Sequence, residues 1–109
     1  MERIVSVRDM ENAVLSHEWA CIVFTRAGTA QCKEALPRVR RMLKRFSDVP
    51  GFSFDLDDDP AAAGRYLVFD TPSVIVYHKG KPIIRQIGSV SVPQIYDSIL
   101  QVHQAQDLT

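Results

Sequence analysis

Five apolar residues in a row, A-C-I-V-F at positions 20–24, constrain this chain more than any other feature. A strand with one wet face alternates apolar and polar residues, because successive side chains point to opposite faces of the sheet. An unbroken apolar run leaves neither face for water. Ala20 to Thr25 therefore reads as a central strand covered on both sides, closed by a turn at Arg26 to Gly28. Whatever else the chain does, it must supply a layer of structure to each face of that strand.

The rest of the sequence supplies those layers in alternation. Ser6 opens S-V-R-D, with Asp9 three residues on as in a capping box, and Val7, Met10, Val14 and Leu15 then recur at helical spacing. A second helix starts near Ala30, with Ala35, Val39, Met42, Leu43 and Phe46 on its inner side and Pro37 within it, which predicts a bend. Pro50-Gly51 precedes an alternating strand, Phe52 to Leu56. Asp59-Pro60 reads as a cap and first position of a short helix over Ala61 to Leu67. S-V-I-V-Y and P-I-I-R-Q-I flank His78-Lys79-Gly80-Lys81 as two strands joined by a tight turn. Ser91 and Gln94 form a second capping box, opening a last helix with Val92, Ile95, Ile99, Leu100 and Val102 on its apolar face. The order is βαβαβαββα. Helical crossovers make parallel pairs and the last turn an antiparallel one, so the expected fold class is α/β, a three-layer α/β/α sandwich with a mixed central sheet.

With 109 residues the chain is expected to form one domain over residues 1–109. Its 13 basic and 13 acidic residues cancel, so no global charge favours nucleic acid or a membrane surface. M-E-R-I-V-S-V-R-D has charges on both sides of a very short apolar stretch, unlike the core of a signal peptide, and no run approaches membrane-spanning length. The expected location is cytoplasmic, where Cys21 and Cys32 would stay reduced. A bridge between them would need the chain to fold back within disulfide reach and is not expected.

Five further features, in register, carry a resemblance. Cys32-Lys33 is followed by Pro37, Asp57 by Pro60, and Tyr66 by Thr71-Pro72-Ser73; Lys79-Gly80 and Ile87-Gly88 complete the set. Over almost its full length the chain resembles thioredoxin, whose pattern has a C-x-x-C-K turn with a proline five residues later, a D-x-x-P segment, a tyrosine leading to a cis-proline, and a glycine after the last strand. The resemblance implies a thioredoxin-like fold and a role in cell redox homeostasis. It also implies that Pro72 is cis and faces Thr29 and Cys32 across the end of the sheet, leaving the backbone of Thr71 open to an extended protein or peptide partner.

The departures from that pattern fall where the chemistry would be. Thiol exchange needs a thiolate that attacks and a second thiol that resolves the mixed disulfide. Thr29 stands at the attacking position in Thr29-Ala30-Gln31-Cys32, and a hydroxyl does not ionise there. Gly28 replaces the family's tryptophan, Val23 its buried acid and Ser53 its lysine; Asp70 replaces a glycine beside the cis-proline. Taken from the residues themselves, Thr29 is a helix N-cap whose oxygen would accept the amide hydrogen of Gln31 or Cys32, and Cys32 is either a small packed hydrophobe or a thiol activated by the helix N-terminus.

Three functions follow as expectations. The first is a binding or adaptor module with a degenerate redox site that lacks dithiol–disulfide reductase activity, its surface formed by Thr71, Pro72, Gly28, Asp70 and Gly88. The second is a monothiol oxidoreductase or redox sensor in which Cys32 is the redox thiol and a low-molecular-weight thiol is a partner. T-x-x-C is also the spacing of peroxiredoxins, but their proline four residues before the threonine is Thr25 here. The third is a structural component of a larger assembly. No cofactor or metal is expected. Asp57 to Asp59 lack the glycine and closing glutamate of a calcium loop, and His17, His78 and His103 lack zinc-ligand spacing. The cations from Lys33 to Arg45 read as a solvated helix face rather than a nucleic-acid site, since no aromatic platform accompanies them.

Overall fold

The computed structural model describes residues 1–107. Its elements run β1 (Glu2–Ile4), α1 (Val7–Ser16), β2 (Trp19–Thr25), α2 (Ala30–Leu43), β3 (Gly51–Asp55), α3 (Ala61–Tyr66), β4 (Ser73–His78), β5 (Lys81–Gln86) and α4 (Val92–Asp107). The strands form one sheet in the order β1-β3-β2-β4-β5. β1, β3 and β2 are parallel, and β4 and β5 antiparallel to their neighbours. This is the expected fold class, with β2 at the centre.

Every residue from Trp19 to Phe24 is fully buried, and the period-two alternation of the strand divides them between two cores. Ala20, Ile22 and Phe24 pack with Met10, Phe54 and Leu56 on one face. Trp19, Cys21 and Val23 pack with Val39, Met42, Ile95 and Ile99 on the other. At about 1.5–3 kcal/mol for each large apolar side chain removed from water, these two layers supply most of the drive to fold. The strand starts one residue before the apolar run because Trp19 and His78 pair in register.

Local signals hold at most element ends. Ser6 caps α1 by accepting the Asp9 amide hydrogen at 3.0 Å, and Asp9 accepts from the Val5 amide. Lys79 and Gly80 have φ of 53° and 79° between His78 and Lys81, two positive values as a type I′ hairpin turn requires. Gly51 does more than break the chain: a Cβ there would lie 2.7 Å from Leu43 Cδ1, so the Leu43 side chain at the end of α2 packs directly over a glycine.

Three local expectations are corrected. The N-cap of α3 is Pro60, not Asp59; the Asp59 carboxylate instead accepts the Val7 amide hydrogen of α1 at 2.9 Å. That N–H is one of the unsatisfied donors at a helix start, where negative charge is favoured. At α4, Ser91 Oγ accepts from the Gln94 amide, but Gln86 rather than Gln94 accepts the Ser91 amide hydrogen, at 2.8 Å. α2 ends at Leu43, and Phe46 is buried from the loop that follows.

Candidate functional site

The turn after β2 reaches α2 through Gly28, whose φ of +85° is one that side-chain-bearing residues rarely adopt. Thr29 occupies the N-cap of α2, yet it makes no side-chain cap hydrogen bond. Its hydroxyl is turned back and donates to the Arg26 carbonyl at 3.3 Å, which corrects the expectation that its oxygen takes the amide hydrogen of Gln31 or Cys32. The helix is joined at this point through the backbone, with the Lys33 amide donating to the Thr29 carbonyl at 3.2 Å.

Cys32 lies on the inner face of α2 with Ala35, Val39 and Met42 and is 4% exposed. Beneath the α2 layer Val23 is fully buried, with Ser53 as its register partner on β3. Hydrocarbon and a hydroxyl thus occupy the two strand positions there. Cys21, buried in the same core, has its thiol pushed up to about 12 by desolvation. Both thiols are free.

The Thr71–Pro72 peptide bond is cis, and Pro72 is buried. Pro72 and Gly88 share a depression of about 190 Å³ with Gln31, Glu34 and Ala35 of α2. The structure therefore brings the proline loop against the first turns of α2, but Gln31 and Glu34 rather than Thr29 or Cys32 form the wall. Among the described residues Thr71 has no hydrogen-bond partner.

Ser73 holds this end of the molecule together. Its hydroxyl, fully buried, donates to the Asp70 carbonyl and accepts the Gly88 amide hydrogen at 3.0 Å. A buried hydroxyl satisfied in both directions fixes the loop before Pro72 to the loop after β5. The two loops also touch directly. A Cβ on Gly88, whose φ is +84°, would lie 3.2 Å from Asp70 Cβ. Around this junction stand exposed apolar side chains, Leu67 and Phe69 at 62% each and Ile87 at 38%. Leu67 is held in a left-handed conformation, φ 57°, while Arg85 donates to the carbonyls of Tyr66 and Leu67.

Sequence reasoning did not find Ser73, Arg85, Leu67 or Phe69. A serine after a proline carries no local signal of a second partner fifteen residues away, whereas Leu67 and Phe69 were detectable as apolar residues outside any amphipathic period. Of the histidines, His78 and His103 meet at the opposite end of the sheet against Trp19, with ring centroids 4.3 and 4.8 Å away. Among the described residues no cluster of three or more His, Cys, Asp or Glu side chains could hold a metal ion, and no helix is long and apolar enough to cross a membrane.

No family model matches the chain. It is 26% identical over 104 residues to the thioredoxin-like protein YdfQ of Bacillus subtilis (strain 168), covering 95% of this chain and 93% of that protein. It is 31% identical over 68 residues to the H-type thioredoxin of Fagopyrum esculentum, covering 62% and 59% of the two chains. Among solved structures, mitochondrial thioredoxin 3 of Saccharomyces cerevisiae in its oxidised form superposes with a TM-score of 0.82 at 19% identity, over 93% of this chain and 94% of that one. Thioredoxin of Fasciola hepatica gives 0.81 at 20% identity, over 93% and 98%.

Proposed function

The chain is a thioredoxin-like protein, and from that premise we propose that it is a binding module with a degenerate redox site, which engages an extended protein segment at the Pro72 loop and does not reduce disulfides by dithiol exchange. The observation that carries this reading is the pairing of a hydroxyl with a buried thiol across one helical turn. Thr29 stands at the N-cap of α2, and the remaining sulfur, on Cys32, is 4% exposed. Dithiol exchange requires an accessible thiolate and a resolving thiol; this turn presents neither on its surface.

What the site retains suits binding. Thr71 precedes a buried cis-proline with its own backbone groups unpaired among the described residues, so a partner strand can add to it by main-chain hydrogen bonds. Leu67, Phe69 and Ile87 offer apolar contact around it, and Ser73 keeps the two loops in fixed relation. A reducing compartment such as the cytoplasm suits the two free thiols.

The test is insulin reduction with a dithiol donor, run on the wild type and on Thr29→Cys. The wild type is expected to match the donor alone, and Thr29→Cys to gain activity because the helix start can then stabilise a thiolate. Wild-type turnover equal to that of an ordinary thioredoxin would overturn the reading. Fast alkylation of Cys32 in the native protein, together with a stable glutathione adduct there, would replace it with the monothiol enzyme.

A further inference from the structure

A second surface lies between α2 and α4, adjoining the Pro72 depression through Arg38. A cleft of about 510 Å³ opens there, within the size range of ligand-binding clefts. Met42, Val92 and Tyr96 supply apolar lining, and Arg38, Arg41 and Arg45 stand along the α2 wall. Arg38 and Arg41, three residues apart, share one side of α2, and Arg45 follows in the turn just past its end.

These charges are poorly neutralised within the chain. Among the described residues Arg38 pairs only with Glu34, at 3.8 Å on the same exposed helix face, a contact worth little in water. Among the described residues Arg41 and Arg45 have no ion pair; Arg45 lies over the Tyr96 ring at 5.9 Å. Three guanidinium groups lining one wall of a partly apolar cleft are complementary to carboxylates attached to an apolar side chain, since guanidinium binds carboxylate through paired donors. A nucleic acid fits less well: the chain has no net positive charge and the single aromatic ring is covered by Arg45. Asp97 on the facing wall repels any anion, so ligand carboxylates must lie along the arginine side of the cleft.

We propose that the α2–α4 cleft is a docking site for an acidic protein segment, whose carboxylates engage Arg38, Arg41 and Arg45 while an apolar side chain enters against Met42 and Val92. Arg38 borders the Pro72 depression as well, but Arg41, Arg45, Met42 and Val92 line only this cleft, so variants there test it apart from the Pro72 loop.

The experiment is fluorescence anisotropy with a labelled, terminally blocked peptide Asp-Glu-Leu-Glu-Phe-Asp-Glu. Saturable binding is expected that weakens with added salt and weakens again when Leu and Phe are replaced by Ser. Arg41→Glu with Arg45→Glu is expected to lower affinity at least tenfold, roughly the loss of one charge-assisted hydrogen bond. Arg40→Glu, beside Met1 and Gly51 on another side of α2, is expected to change it by less than about twofold, as exposed distant charges do. Thermal melting of each variant establishes that it is folded; if the double reversal unfolds, Arg41→Gln with Arg45→Gln gives the same comparison. The proposal is overturned by absence of binding, by an equal loss from Arg40→Glu, or by tighter binding of a single-stranded oligonucleotide or a phosphatidylserine vesicle that depends on the same arginines. Self-association of the chain that the double variant abolishes would also overturn it, by making a second copy the occupant.

Discussion

At one end of the β2–β4 pair, around Thr29 and Pro72, the chain presents backbone: a cis peptide bond, a Thr71 unpaired among the described residues, and glycines at 28 and 88 with positive φ. At the other end it presents stacked side chains. Trp19 is fully buried between His78 and His103, His103 stacks in turn on Phe46, and its ring nitrogens meet the Ile99 carbonyl and the Asp48 carboxylate. Both ends belong to the same two strands, only six residues apart on β2. The contrast teaches that the sheet transmits no single character to its ends. Where side chains close the end, apolar area and ring contact hold it. Where loops close it, one buried hydroxyl on Ser73 and close backbone approach must serve, and backbone remains available to a partner.

If this division is real, the largest loss of stability comes from the aromatic end. Trp19→Ala is expected to cost about 3–5 kcal/mol in urea unfolding, from lost burial and the cavity left behind. Trp19→Phe should cost much less, because the indole N–H has no hydrogen-bond partner among the described residues and its removal leaves no acceptor orphaned. Next is Ser73→Ala, which strands the Gly88 amide and the Asp70 carbonyl and is expected to cost about 1–3 kcal/mol, with faster hydrogen exchange at Gly88 and little change near Trp19. A cost above that of Trp19→Ala would break the comparison.

Gly88→Ala is expected to cost about 1–2 kcal/mol for placing a side chain at positive φ. Part of the loss should be recovered in an Asp70→Gly background, since the new Cβ would otherwise crowd Asp70. The smallest effect is electrostatic. Burial opposes protonation of His103, but its hydrogen bonds to Ile99 and Asp48 outweigh this and raise its pKa above the ordinary value. A raised folded pKa means that this contribution is fully present below the unfolded value of about 6.5 and is lost as pH rises through the folded value. Unfolding midpoints measured from mildly acidic to mildly basic pH should therefore fall more in the wild type than in His103→Gln.

Local sequence determined a good deal of this protein. The apolar run from Ala20 to Phe24 reads as a strand covered on both faces; Ser6 with Asp9 starts a helix; Lys79-Gly80 turns a hairpin. Each depends on groups within a few residues of one another, so the pattern and its cause lie in the same stretch of chain. The cis bond at Pro72 has no such local cause and was legible only through the resemblance carried by its distant companions. Tertiary structure decided the rest, because the deciding partners are far apart in sequence. Asp59 serves the start of α1, fifty-two residues away, rather than its own helix. Ser73 reaches Gly88 across fifteen residues, and His103 finds Asp48 across fifty-five. Thr29, a good capping residue by chemistry, points its hydroxyl back to Arg26 instead. A polar side chain takes whichever partner the fold brings within about 3 Å, and that choice is made only after the sheet and its two apolar layers have set the distances.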